Sequence, residues 1–159
     1  MITIRRATID DLDMISMLET ICFPESEAAT REALSERLKT YSNHFWLLEK
    51  EGKIISMVNG MVTNERDLSD EMYSNAGLHD ENGNWQMIFG VDTHPDFRKK
   101  GYAGRLLKHF INEAKEEKRE GIVLTCKKSL IPYYEKFGFR NEGISKSVHG
   151  NVEWYQMRL

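Results

Sequence analysis

The stretch FRKKGYAG at residues 97–104 is the most informative segment for the fold. Three cationic side chains lead into a turn that contains Gly101 and Gly104, and a helical pattern of apolar residues follows. Glycine lets the backbone approach a ligand closely, and the free N–H groups and dipole of a helix start favour an anion. The stretch predicts a turn that could hold a diphosphate. Because an ordinary surface turn can have the same composition, the flanking segments must decide between the two interpretations.

The segments on either side of this turn predict a βαβ unit. Residues 85–91 form a β-rich run, the helical pattern after the turn ends near residue 118, and residues 121–125 form another short apolar strand. A strand, a helix and a strand in series make a crossover connection, so this part of the sheet must be parallel.

The remainder of the chain predicts antiparallel hairpins at both ends of this unit. An N-terminal strand at residues 2–6 precedes two helices, which Thr8 and Thr30 can cap and which we interpret as a flap. The other expected elements are strands at 44–49 and 53–62, a long polar loop at 64–84, a short helix at 130–137 and strands at 140–147 and 152–159. The fold class is therefore α/β with a mixed sheet, in the order βααββ-loop-βαβαββ, within one domain spanning residues 1–159.

Composition and charge exclude several classes of protein. A net charge of −3 and a pI near 6.0 argue against a nucleic-acid-binding surface. The chain has no apolar run of membrane-spanning length and no secretory signal at its start, so we expect a cytoplasmic protein. Cys22 and Cys126 have no metal-ligand spacing, which predicts reduced, structural cysteines and no metal site.

Two ordered motifs resemble the GCN5-related N-acetyltransferase (GNAT) superfamily. Arg98, Gly101 and Ala103 match its signature of Arg or Gln, two residues, Gly, one residue, then Gly or Ala, and IPYYEKFGF at 131–139 is similar to its late helix and turn. Within the superfamily, the chain looks most like arylalkylamine N-acetyltransferases and their bacterial relatives. That likeness is carried by GKIISMVNG at 52–60, ERDLSDEMYSNAGLH at 65–79, and residues 97–101 and 126–139.

The resemblance implies that acetyl-CoA is the cosubstrate and indicates where it would bind. Backbone N–H groups of residues 99–104 would hold the diphosphate, with nearby cationic side chains adding charge at the rim, and the pantetheine would pair with the end of the preceding strand. Lys127 and Lys128 could meet the outer phosphates, although a solvated lysine pair is the alternative. The predicted cofactor-binding residues are Val91, Asp92, Thr93, Arg98, Lys99, Lys100, Gly101, Tyr102, Ala103 and Gly104.

By the same resemblance, Tyr134 is the catalytic acid that protonates the departing thiolate. A tyrosine is protonated at neutral pH and can donate this proton, whereas the alternative is that Tyr134 is a packed core aromatic. Tyr133 is adjacent, but neighbouring helical residues face about 100° apart, so only one of the two can face the thiol.

The general base is where the sequence departs from its relatives. Arylalkylamine acetyltransferases place two histidines on the strand before the basic turn, and Met87 and Phe89 stand at the matching positions. These two residues could wall an apolar substrate slot or belong to the core. The remaining candidates for the base are Glu25, Glu27, His79 and Asp92.

Three functions follow as hypotheses. The first is transfer of an acetyl group from acetyl-CoA to a small primary amine, aromatic or polyamine-like, by direct attack of the amine. A peptide or protein amine is the enzymatic alternative, and a non-catalytic acyl-CoA-binding module without a base is the third. His94 and His149 are expected in turns. The terminal strands could pair two subunits into a homodimer.

Overall fold

Four strands form an antiparallel sheet on one side of the molecule. The computed structural model describes residues 1–159, and this sheet has the order β1-β2-β3-β6. Its strands are β1 (Ile2–Arg6), β2 (Phe45–Lys50), β3 (Lys53–Asn59) and β6 (Gly90–Thr93). Because β6 pairs only with β3, the other edge of β6 has no neighbouring strand.

Five strands form a second, mixed sheet. They are β4 (Val62–Thr63), β5 (Trp85–Ile88), β7 (Gly121–Cys126), β8 (Arg140–Ile144) and β9 (Tyr155–Arg158), in the order β4-β5-β7-β9-β8. Strands β5 and β7 are parallel and every other pair is antiparallel. The predicted crossover and the mixed α/β architecture are therefore confirmed.

Five α-helices complete the fold. They are α1 (Leu12–Cys22), α2 (Arg31–Tyr41), α3 (Glu71–Ser74), α4 (Tyr102–Glu116) and α5 (Ile131–Glu135). Helix α4 follows the basic turn and turns one apolar face to the core, where it packs against strands of both sheets. The buried residues of that face are Leu106, Leu107, Phe110, Ile111 and Ala114.

The interpretation of α1 and α2 as a flap is wrong. Ile15 and Leu18 of α1 and Leu34 and Leu38 of α2 are buried in a shared core with Leu47 of the first sheet. The two helices are thus a fixed layer on that sheet. The segment that connects them, residues 23–30, is exposed or half-buried, although Ala29 packs against this core.

The predicted continuous strand at 85–91 is also wrong, because the chain changes sheets at Phe89. Ile88 is the last β5 residue that pairs with β7, opposite Leu124, whereas Gly90 begins the pairing of β6 with β3. At this crossing, a Cβ on Gly60 would lie 1.8 Å from the carbonyl oxygen of Met87, so only glycine allows the backbones to come this close. Strands β6 and β7 diverge beyond this point and leave a wedge between them.

The other differences concern the ends of elements. The predicted strand at 53–62 stops at Asn59, and a separate short strand, β4, follows. The long loop at 64–84 contains α3 and a 3-10 turn at Ala76–Leu78, which is more than the single helical turn expected. None of the helices has the length and apolar character needed to cross a lipid bilayer.

Candidate active site

A cavity of about 280 Å³ occupies the wedge between β6 and β7. Phe89, Gly90 and Val91 line it on one side, and Thr125 and Cys126 line it on the other. The cavity exists because the two sheets separate at Phe89, so the strand break that the sequence did not reveal creates the site.

Tyr134 on α5 reaches this cavity. Its ring is buried against Tyr133, at a centroid distance of 5.2 Å, and against Phe139, at 5.9 Å. Its hydroxyl makes no hydrogen bond within the chain. Burial, with smaller effects of Cys126 and Tyr133, raises the pKa of Tyr134 well above its usual value, so the phenol keeps its proton at neutral pH. Tyr133 is not among the residues that line the cavity.

Aromatic rings from distant parts of the chain form much of the cavity wall. Tyr73 from the long loop lies 4.8 Å from Phe89, centroid to centroid, and stacks on His149 at 5.5 Å. Trp154 also lines the cavity, and its indole N–H donates to the His149 carbonyl oxygen at 2.6 Å. His149 Nε2 lies 2.8 Å from the Glu27 carbonyl oxygen, which can only accept, so this nitrogen carries the proton. His149 thus lies in a turn, as expected, and its ring also contributes to the wall contacts around the cavity.

The charged side chains of the cavity differ in how they are partnered. Glu27 forms an ion pair with Lys127 Nζ at 2.9 Å, and Asp70 accepts hydrogen bonds from the Ser147 hydroxyl and a backbone N–H. Glu19 on α1 has no cationic partner within ion-pair distance, and its Oε2 accepts the Ala29 N–H at 2.9 Å. The cavity therefore contains three carboxyl groups, of which only Glu19 lacks both a cation and a side-chain donor.

Arg37 on α2 adds a buried cation to the same wall. Its guanidinium donates to Asn59 Oδ1 at 3.1 Å and to the Tyr73 carbonyl oxygen at 2.9 Å, and it lies over the Phe89 ring at 5.0 Å. No carboxylate lies within ion-pair distance of it. Arg37 consequently fixes the position of Phe89 and of the long loop.

The basic turn has the geometry that its sequence predicts. Lys99 and Gly101 adopt left-handed backbone conformations, with φ of 61° and 84°. The first helical hydrogen bond of α4 runs from the Arg105 N–H to the Gly101 carbonyl oxygen, so the N–H groups of residues 102–104 have no acceptor in the helix. Successive free N–H groups in such a turn form an anion-binding concavity.

Arg98 holds this turn against the end of β6. Its Nε donates to the Thr93 carbonyl oxygen at 3.0 Å, so at least one of its donors is used within the chain. Lys100 and Tyr102 lie near Phe97. The Lys100 Nζ is 5.9 Å from the centroid of the Phe97 ring, and the ring centroids of Phe97 and Tyr102 are 6.3 Å apart.

The predicted pantetheine strand is an edge strand. Val91 lines the cavity and packs against the core, whereas the side chains of Asp92 and Thr93 are buried and do not line the cavity. The Thr93 hydroxyl lies 3.1 Å from that of Ser56. Only the backbone of these residues is available on the wedge side.

The four candidate bases lie in different environments. Glu27 lines the cavity, and Glu25 is exposed outside it. His79 also lies outside the cavity, because its Nδ1 accepts the Val62 N–H at 3.0 Å and its Nε2 faces Glu81. Asp92 is fully buried beside the cavity, next to Glu19. As a position for the general base, the side of the cavity that contains Glu19 is thus favoured over His79 and Glu25, which lie outside the cavity.

Two further pairs of residues are now placed. Met87 belongs to the core, and Phe89 lines the cavity. Of the two alternatives for these positions, core or wall, the first therefore applies to Met87 and the second to Phe89. Lys127 is partly exposed and pairs with Glu27, whereas Lys128 is exposed.

Both cysteines are free thiols. Cys22 donates to the Thr93 carbonyl oxygen at 3.3 Å, which gives it a structural contact. Cys126 lines the cavity, but burial raises its pKa to about 11, so it is not an activated nucleophile at neutral pH.

Sequence reasoning missed Glu19, Arg37, Tyr73 and Trp154. Glu19 and Arg37 look like ordinary polar positions of amphipathic helices, and Tyr73 lies in a loop without periodicity. The ERDLSDEMYSNAGLH segment, which contains Tyr73, was the one available signal, because it carried part of the family resemblance.

Comparison with known proteins gives the family. The sequence profile described as the Acetyltransferase (GNAT) family matches residues 12–139. The chain therefore belongs to this family, and the expected fold and superfamily are confirmed.

Individual relatives are distant. Serotonin N-acetyltransferase of Mesocricetus auratus is 24% identical over 110 residues, which are 69% of this chain and 52% of that protein, in keeping with the arylalkylamine resemblance. The chain thus spans about half the length of this curated relative.

Two solved structures share the fold over nearly their whole length. The loading GNATL domain of CurA from Lyngbya majuscula superposes with a TM-score of 0.87 at 17% identity, covering 99% of this chain and 96% of that one. The GphF GNAT-like decarboxylase in complex with isobutyryl-CoA gives 0.82 at 21% identity, covering 98% and 97%.

Proposed function

We propose that this protein transfers an acetyl group from acetyl-CoA to a small primary amine. The observation that carries the proposal is the wedge between β6 and β7. It joins an unpaired strand edge to a cavity that ends at a protonated tyrosine, Tyr134, and Arg98 of the basic turn donates to the Thr93 carbonyl oxygen at the end of the same strand.

The coenzyme would be held mainly by backbone groups. The free N–H groups at 102–104 would receive its diphosphate, with Lys99 and Lys100 adding charge at the rim, and the free edge of Val91 would pair with the pantetheine amides. The complex of GphF with isobutyryl-CoA is an acyl-CoA complex on the same fold, which supports a coenzyme of this class.

The transfer would proceed by direct attack of a neutral amine on the thioester. Tyr134 would give its proton to the departing thiolate, because Tyr134 lines the cavity and its hydroxyl has no hydrogen-bond partner within the chain. Cys126 is the only thiol in the cavity, and its raised pKa together with its lack of a basic partner argues against a covalent acetyl-cysteine.

The walls of the cavity suggest the acceptor. Tyr73, Phe89 and Trp154 provide flat apolar surfaces, and Glu19 provides a carboxylate for a cationic amine. A volume of about 280 Å³ is small for a ligand pocket and favours a compact amine over a peptide. An arylalkylamine matches these aromatic walls directly, whereas a polyamine would have to compete with Lys127 for Glu27, one of the three carboxyl groups of the cavity.

The proposal is tested by following release of free CoA thiol from acetyl-CoA with a panel of amines. The panel holds phenethylamine and tryptamine, spermidine, and a peptide with a free α-amine, and coenzyme binding is measured in parallel by calorimetry. We expect the highest kcat/KM with the arylalkylamines. Turnover of the peptide alone would replace the small-amine acceptor by a protein amine. Tight coenzyme binding without turnover of any amine would favour the non-catalytic acyl-CoA-binding module.

A further inference from the structure

The carboxyl group of Glu19 lies beside a second one, that of Asp92. Asp92 lies on β6 directly after the cavity-lining residues Gly90 and Val91, and its side chain is completely buried. Apart from the contact with Glu19, neither of its oxygens has a hydrogen-bond partner. A buried carboxyl in this position needs either a donor or a proton of its own.

The pair therefore holds one proton. Two carboxylates in contact away from water cannot both be ionised. Burial, and then the charge of Glu19, raises the pKa of Asp92 well above its usual value, so the proton belongs to Asp92. The protonated Asp92 can donate a hydrogen bond to Glu19, which leaves the charge on the residue that reaches the cavity.

The other titratable groups around the pair leave this assignment intact. Cys22 on α1 is a thiol whose pKa is raised by burial, and Tyr134 on α5 remains a phenol. Arg98 lies beside Cys22, and Arg37 on α2 is a cation that acts on Asp92 more weakly than Glu19 does. It forms no ion pair with either carboxyl.

We infer that Glu19 is the general base that takes a proton from the substrate ammonium, and that Asp92 is the positioning residue that orients it. This inference rests on the proposed acetyl transfer and supplies the base that Met87 and Phe89 cannot provide. Glu19 is suited to the role because it lines the same cavity as Tyr134 and has no competing cation.

The ammonium gives one proton to the Glu19 carboxylate, and the neutral nitrogen forms a bond to the thioester carbonyl carbon. The carbon–sulfur bond breaks, and the thiolate takes the Tyr134 proton. The second proton lost by the nitrogen returns to the Tyr134 oxygen through water, and Glu19 releases its proton to solvent. An amine, acetyl-CoA and the protein thus yield an amide, CoA thiol and one free proton.

Whether a base is needed depends on the protonation state of the amine, so two amines of different pKa can test the role of Glu19. An alkylamine is neutral in only roughly one molecule per few thousand at neutral pH, so it requires proton removal before attack. The β,β-difluoro analogue of phenethylamine has nearly the same body and is largely neutral at about pH 8. A base should matter for the first amine and hardly at all for the second.

The experiment compares both amines with the wild-type protein and with Glu19→Gln, whose side chain can still accept the Ala29 N–H. We expect kcat/KM for phenethylamine to fall by about 10²–10³-fold and that for the difluoro analogue by less than about threefold. Equal losses for the two amines, or no loss for either, would overturn the role of Glu19 as the base.

Three further variants make the result interpretable. Glu25→Gln is the matched control, because this glutamate is exposed outside the cavity, and it should leave both rates unchanged. Asp92→Asn keeps a hydrogen-bond donor and should stay within about tenfold of wild type for phenethylamine, whereas Asp92→Ala should lose more. If Asp92→Asn and Asp92→Ala behave alike in folded protein, Asp92 does not orient Glu19.

Further measurements distinguish failure of this inference from misfolding of a variant and from failure of the proposed function. Unfolding temperature and coenzyme affinity are measured for each variant, and Glu19→Asp replaces Glu19→Gln if the latter does not fold. The shorter carboxylate should again lose rate selectively with the protonated amine, and an equal loss for both amines overturns the inference. If the wild-type protein acetylates neither amine, the proposed function fails instead.

Discussion

Replacement of Tyr134 by phenylalanine removes one oxygen atom and should separate catalysis from stability. The ring packs against Tyr133 and Phe139, and the hydroxyl has no hydrogen bond within the chain. Because no internal hydrogen bond is lost, the free energy of unfolding should change by less than about 0.5 kcal/mol. The ring contacts and the cavity shape should remain.

The effect on turnover should be large. Loss of a positioned general acid costs about 10²–10⁴-fold, which corresponds to roughly 3–5 kcal/mol in the activation barrier. Burial raises the pKa of Tyr134, so the phenol is fully protonated at the pH of the assay and the whole of this contribution is available.

The measurement is kcat/KM from CoA thiol release, with coenzyme affinity determined by calorimetry on the same preparations. Tyr133→Phe is the matched control, since this neighbouring ring does not line the cavity, and it should stay within about twofold of wild type. Wild-type turnover by Tyr134→Phe would refute the acid role. Reduced turnover caused entirely by weaker coenzyme binding would assign Tyr134 to packing against the cofactor.

Three other substitutions test the remaining parts of the site and fold. Gly101→Val places a side chain on the left-handed residue of the basic turn and should weaken CoA binding at least roughly tenfold, or about 1.4 kcal/mol, by calorimetry. Gly143→Ala, also at a left-handed residue but on β8 of the second sheet, should bind normally. Unchanged affinity in Gly101→Val would exclude the turn as the diphosphate site. Gly60→Ala forces a Cβ to within 1.8 Å of the Met87 carbonyl oxygen and should cost at least about 3 kcal/mol in chemical unfolding, against about 1–2 kcal/mol for Gly52→Ala, where no atom lies within 4 Å. Equal costs would contradict the close crossing of the strands. Hydrogen bonds outweigh the opposing effect of burial and lower the pKa of Glu81 to about 2, so its charge stabilises the fold above about pH 4.5 and this contribution disappears as the pH falls towards 2. Glu81→Gln should therefore lower the unfolding temperature at neutral pH and flatten its decline in acid, and an unaltered acid slope would contradict this.

Local chemistry explains why the βαβ unit and the basic turn could be predicted. The apolar face of α4 follows helical spacing, and the turn before it has glycine at Gly101, where a left-handed conformation is required. These features act within a few residues, so they are visible in the sequence. Tyr134 was instead proposed from the family resemblance, which the motif at 131–139 carries.

The wedge could not be predicted because its cause is distant in sequence. Residues 85–91 contain no proline or turn signal until Gly90, and a continuous strand is the natural interpretation of an extended apolar run. The switch of sheets depends on the close approach of Gly60 to Met87, which is a tertiary contact. Glu19 was missed for a similar reason, since its burial depends on Asp92 of a different element.

The sheet change at Phe89 also fixes the number of residues in this part of the chain. Side chains of a strand alternate between its two faces, so Val91 packs towards the core around α4 while Asp92 points towards Glu19. Removing or adding one residue between Ile88 and Gly90 would exchange these two directions. A carboxyl would then enter the apolar core and a valine would face Glu19. Natural variation in chain length should therefore be excluded from this short crossing.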